Sequence, residues 1–139
     1  MRVVIDTNVL LVSISRRAKH HPIFKAILDG TIELCISNAI IEEYEEIIGE
    51  HWSPSMARNT VELLLKSPFV HRFDPRYNWI LIKEDPDDDK FADCSVAANA
   101  NYLVTDDNHY NVLKNMPFPH FNIISADSFL ELIIALNQP

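Results

Sequence analysis

With 139 residues, 47% of them hydrophobic and 23% charged, the chain is long enough to bury one substantial core and is expected to form a single domain over 1–139. Its two glycines, Gly30 and Gly49, exclude glycine-rich phosphate loops, and no apolar run approaches the roughly 18 residues that span a bilayer. A net charge of −8 speaks against a nucleic-acid binder, which usually carries a basic face, unless several of the 20 acidic residues hold cations that reverse the local field.

The chain opens on a short apolar strand, residues 2–6, with no signal-peptide core before it. A helical turn is expected over 8–15. Helical spacing of Ile23, Phe24, Ile27 and Leu28 predicts a helix over 22–29, with Gly30 as its stop. Residues 32–36 form a second strand. Ser37 caps a helix to about Gly49, with Ile40, Ile41, Tyr44, Ile47 and Ile48 on one face. Ser53 caps another, with Pro54 in its first turn and Met56, Val61, Leu64 and Leu65 inward; Pro68 ends it. Residues 69–73 are a third strand, followed by an extended connection over 75–84. Asp85 as N-cap and Pro86 at the first position start a helix with Phe91, Cys94, Ser95 and Ala98 on its buried stripe. Strands at 102–105 and 121–125 and a helix at 129–136 close the chain. Cys35 and Cys94 lack CxxC or zinc spacing and suit a reducing, cytoplasmic setting.

Short apolar strands alternating with helices predict an α/β fold with a parallel sheet. Ligands in such folds bind beyond the carboxyl ends of the strands. Four acids fall at that edge. Asp6 ends the first strand, and Asp107 follows the strand that ends at Thr105. Glu43 and Asp88 lie near the starts of two helices, close to their apolar stripes. A carboxylate beside an apolar segment is costly unless it is protonated, paired or bound to a cation. Four such groups brought together describe a site for hard divalent ions and metal-assisted chemistry on phosphate esters.

Each acid has a plainer role as well. Asp6 suits the N-cap of the next helix, which is compatible with metal binding. Glu43 and Glu45 both flank the apolar stripe, and the helical wheel does not choose between them. Asp85, Asp87, Asp88 and Asp89 crowd one helix start, where each offsets the helix dipole by about 0.3–1 kcal/mol. Asp88 alone aligns with Phe91 and Ser95 toward the core. An EF-hand reading fails, because Lys90 stands at the glycine position and Val96 at that of the bidentate glutamate.

Four segments in this order resemble the PIN-domain family, in particular its small bacterial VapC-like toxins of toxin–antitoxin systems. They are Val3-Val4-Ile5-Asp6-Thr7-Asn8, then Ser37 with Glu43-Tyr44, then Asp85-Pro86-Asp87-Asp88-Asp89-Lys90-Phe91, and Leu103-Val104-Thr105-Asp106-Asp107. The resemblance implies a three-layer α/β/α sandwich around a mostly parallel sheet of about five strands. It implies an Mg²⁺- or Mn²⁺-dependent ribonuclease whose acids are Asp6, Glu43, Asp88 and Asp107, supported by Asn8 and Thr105. It favours Glu43 over Glu45 and Asp88 over Asp93. The family usually has glycine where Asp106 stands, which leaves Asp106 and Asp107 as rivals for one ligand position. His109 is given no catalytic role.

The expected partners are an RNA substrate, an antitoxin protein and at least one further copy of the chain. Arg16, Arg17 and Lys19 are candidates for gripping the RNA backbone, and Tyr77, Trp79 and Tyr110 for stacking on bases. Two other readings compete. A haloacid-dehalogenase-type phosphatase would also end its first strand in Asp, but it wants a second Asp where Asn8 stands. A catalytically inactive interaction protein would keep the fold and use the apolar helices at 37–49 and 53–66 to dock a partner.

Overall fold

The computed structural model describes residues 1–82 and 85–138. Five strands, β1 (Arg2–Ile5), β2 (Glu33–Ile36), β3 (Val70–Arg72), β4 (Tyr102–Val104) and β5 (Ile123–Ile124), form one sheet in the order β3-β2-β1-β4-β5. Every pairing is parallel, with Val3 opposite Leu34 on one side and Ile5 opposite Val104 on the other. The central strands are short unbroken apolar runs without alternation because both faces are covered. Val3, Val4, Ile5, Leu34 and Val104 have no measurable exposure.

Among the described residues, six α-helices flank this sheet as the outer layers of an α/β/α sandwich: α1 (Thr7–Ser13), α2 (His21–Asp29), α3 (Asn38–His51), α4 (Pro54–Lys66), α5 (Asp89–Ala98) and α6 (Ala126–Leu136). Helix α5 lies on β1, β2 and β4; α3 packs against α4, and α2 against α1 and α6. The expected caps hold. Ser37 Oγ accepts the Ile40 amide and Ser53 Oγ that of Met56. Gly30 stops α2 in the left-handed region at φ 82°, and a Cβ there would lie 2.7 Å from the Phe69 ring.

Three details depart from expectation. Helix α5 proper begins at Asp89, after a 3₁₀ turn over Pro86–Asp88; Asp85 caps that turn by accepting the Asp87 amide at 3.1 Å. Leu65 is 55% exposed, while Ala57 and Thr60 take the inward places on α4. A 3₁₀ helix over Asn108–Leu113 fills a stretch with no helical periodicity. Of the expected connection over 75–84, residues 75–82 contain no helix or strand, and 83–84 lie outside the described residues. Among the described residues no helix is long and apolar enough to cross a membrane.

The topology decides where a ligand can sit. From β1 the chain builds outward through β2 to β3, then crosses back to place β4 on the other side of β1. Connections leave β1 and β4 in opposite directions, and the crevice between them opens at their carboxyl ends.

Candidate active site

Asp6 leaves β1 at that crevice, tied to the neighbouring strand by its amide, which donates to the Val104 carbonyl at 3.0 Å. It holds the N-cap position of α1, yet its side chain makes no capping hydrogen bond. Its Oδ2 instead accepts the Thr105 hydroxyl at 2.7 Å, and the residue is 6% exposed. Thr105 also accepts the Asp107 amide on Oγ1 at 3.1 Å, so one hydroxyl sets two acids.

Asp106 and Asp107 make different contacts. Asp106 accepts the Ala126 amide at 2.9 Å and so serves the start of α6. Asp107 caps the 3₁₀ helix through the His109 amide and shares with Asp6 a cleft of about 290 Å³, walled by Asn8, Val9 and Val12 of α1. Asp106 also borders that cleft.

Asp88 approaches from α5. It stands at the N-cap with no capping bond, and its carbonyl accepts the hydroxyl of the fully buried Tyr110 at 3.1 Å. Its neighbours do other work. Asp89 accepts the Ile82 amide at 2.8 Å and Asp93 that of Trp79 at 3.0 Å, tethering the connection after β3. Asp87 is exposed.

Glu43 is half-buried on α3, while Glu45 is exposed. Tyr44 beside it is buried and donates its hydroxyl to the Ile5 carbonyl, fixing α3 against the end of β1. Glu43 is not open to a ligand on all sides. Thr7 Oγ1 donates to its Oε2, and Lys90 Nζ lies 2.8 Å from its Oε1. A larger cleft of about 650 Å³ adjoins Lys90 but is lined by none of the four acids.

The field at this edge is strongly negative. Burial is the main reason the Asp6 carboxyl is pushed up to about 6, with Glu43 and Asp107 adding to it and the Thr105 hydroxyl opposing. Asp88 is raised to about 7, again chiefly by burial and then by the charges of Asp85, Asp107 and Asp6. Carboxylates near one another with little compensating positive charge are the kind of donor set a hard divalent cation takes, and the charges of Asp107 and Asp6 both reach Asp88. Asp85, Asp88 and His109 each offer a ligand atom, all within 4.8 Å of one another.

Thr7, Lys90, Asp85 and His109 also stand at this edge and were not among the expected site residues. Lys90 had one visible signal, as the cation that directly follows the acidic run 85–89. The others are defined by contacts across tens of residues. The basic candidates are set apart: Arg16 and Arg17 are exposed in the turn after α1, and Lys19 pairs with Asp127 at 3.2 Å. Of the aromatic candidates, Tyr77 is exposed, Trp79 half-buried and Tyr110 buried, which excludes Tyr110 from stacking on a base.

The family model described as PIN domain matches residues 2–109, a span that includes all four acids. Among solved structures, a chain of VapBC2 from Rickettsia felis, determined bound to a DNA fragment from their promoter, superposes with a TM-score of 0.62. The two are 16% identical, and the match covers 90% of this chain and 98% of that one. At this identity the likeness is one of fold. No curated protein matches the chain.

Proposed function

Because the chain belongs to the PIN domain family, we propose that it is an Mg²⁺- or Mn²⁺-dependent endoribonuclease, the toxin of a toxin–antitoxin pair. What supports the reading is that Asp6 and Asp107 line one cleft at the β1–β4 crevice and the charges of both reach Asp88, with the carboxyls of Asp6 and Asp88 driven up to about 6 and 7. Asp6, Asp88 and Asp107 would hold the ion, with Glu43 at the edge of the site. When bound, the ion supplies Lewis-acid polarisation of the scissile phosphate and acidifies water.

The remaining groups have positioning work. Thr105 orients Asp6 and Asp107 together, and Thr7 and Lys90 hold Glu43. Lys90 also brings an ammonium to an otherwise acidic edge, where it can face a phosphate oxygen. Asn8, Val9 and Val12 form one wall of the cleft, which runs along α1 toward the turn bearing Arg16 and Arg17. Seven helical residues cover about 10 Å, so those arginines are reached by neighbouring nucleotides of a bound single strand and not by the reacting phosphate. RNA is the substrate class proposed, in single-stranded or looped form.

The solved neighbour is a VapBC complex, and an antitoxin of this chain is proposed on that likeness. Leu63 and Leu65, 47% and 55% exposed, flank the buried stripe of α4 on opposite sides, and either could contribute to contact with such a partner or with a second copy in a homodimer. The test is incubation of purified protein with labelled structured and unstructured RNAs in Mg²⁺, Mn²⁺ or EDTA, beside Asp6→Asn. Cleavage that needs the metal and disappears in Asp6→Asn is expected. Cleavage in EDTA, or equal cleavage by Asp6→Asn, contradicts the proposal.

A further inference from the structure

We propose that the imidazole of His109 is a ligand of the bound ion, so that the site selects Mn²⁺ or a similar first-row transition ion over Mg²⁺. This deepens the function proposed above and rests on it. His109 Nδ1 lies 3.4 Å from Asp88 Oδ2, 3.5 Å from Asp107 Oδ1 and 3.8 Å from Asp85 Oδ2. Two donors each about 2.1 Å from one metal stand about 3.4 Å apart at a tetrahedral angle and about 3.0 Å apart at a right angle. The observed spacings are at or slightly beyond those of donors sharing one ion, and a small contraction would close them.

The ring is also held in place before any ion arrives. Its backbone amide donates to Asp107 Oδ1 at 2.9 Å. The next residue, Tyr110, is fully buried and bonded to the Asp88 carbonyl. The 3₁₀ helix thus fixes His109 between Asp107 and Asp88, while the Asp88 side chain forgoes the capping bond its position offers. An all-oxygen set suits Mg²⁺, which dehydrates reluctantly; a nitrogen donor raises affinity for later first-row ions and does little for Mg²⁺. The other reading of the same contacts is an imidazolium that neutralises the acids and leaves when metal binds.

Electron spin-echo spectroscopy of the Mn²⁺-loaded protein separates the two, read beside calorimetric titration with Mn²⁺ and Mg²⁺. A ligating imidazole gives ¹⁴N modulation of the Mn²⁺ signal in the wild type and none in His109→Gln. In that variant Mn²⁺ affinity is expected to fall by about tenfold or more, and Mg²⁺ affinity to change by less than about twofold. The chain has six histidines, so modulation that persists in His109→Gln assigns the nitrogen elsewhere and overturns the inference. Mn²⁺ bound by the wild type without ¹⁴N modulation overturns it too and leaves the proposed function standing. No Mn²⁺ bound by the wild type removes both. Loss of modulation is read only in a variant whose circular dichroism matches the wild type's, with His109→Asn as the second variant should His109→Gln fold poorly.

Discussion

At 6% exposure, Asp6 is a carboxylate placed where water cannot solvate it well, and its carboxyl is raised from 3.8 to about 6. Without metal, the folded chain therefore binds a proton at Asp6 between about pH 4 and 6 that the unfolded chain does not. Folding stability from this group is greatest at the acid end and falls as pH rises through 6. Asp6→Asn removes the penalty. Metal-free Asp6→Asn is expected to be more stable than wild type at pH 7.5, on the order of 2–3 kcal/mol, with the difference shrinking toward pH 4. Urea denaturation across that range, in EDTA, measures it; equal stability at pH 7.5 would mean that Asp6 is better solvated than its burial implies. The same physics made Asp6 legible in the sequence, because an acid at the end of an apolar strand has few inexpensive fates. Glu43 was not separable from Glu45 on the wheel, since both flank the stripe; only the fold leaves Glu45 in water and sets Glu43 beside Thr7 and Lys90. His109 was given no role from the sequence, as its neighbours Asp85 and Asp88 come from a different segment.

At the scale of the element, two features tie local chemistry to the site. Glu43 on α3 and Lys90 on α5 form an ion pair with side chains 20% and 22% exposed, which links the two helices that carry acids. A pair so placed is worth more than a fully exposed one, and a double-mutant cycle of Glu43→Gln and Lys90→Met is expected to give a coupling of about 1 kcal/mol. A coupling near zero would show that Thr7 alone holds Glu43. Gly30 is the second feature. Any Cβ there meets the left-handed backbone and the Phe69 ring together, so Gly30→Ala should cost about 1–3 kcal/mol in thermal or chemical denaturation.

Elements with strong periodicity or clear caps were legible: α2, α3 and α4 fall within two residues of expectation. The helix at Asn108–Leu113 and the segment 75–82 were not. Side-chain bonds to backbone, such as Asp93 to the Trp79 amide and Asp107 to the His109 amide, hold these stretches in place of an apolar stripe.

For the whole molecule, the net charge of −8 and the acid-lined crevice oppose approach of an RNA backbone. With RNA as the proposed substrate, its binding should depend on the cation as much as the proposed cleavage would. In fluorescence polarisation with labelled single-stranded RNA, binding is expected with Mg²⁺ or Mn²⁺ and should fall at least about tenfold in EDTA. Strong binding in EDTA would point to a basic surface elsewhere, with the turn at Arg16 and Arg17 as the first place to look. The parallel sheet and its layers were legible at this scale because unbroken apolar strands alternating with helices leave few other arrangements. The strand order, and with it the crevice between β1 and β4, came only from the fold. The most direct measurement of the central claim is calorimetric titration of the metal-free protein with Mn²⁺ at pH 7.5 and 5.5, beside Asp6→Asn. Binding at pH 7.5 that weakens at 5.5, as Asp6 and Asp88 take up protons, and that is lost in Asp6→Asn is predicted. A wild type that binds no Mn²⁺ at pH 7.5, or an Asp6→Asn that binds it equally well, would contradict a divalent-cation site at this edge.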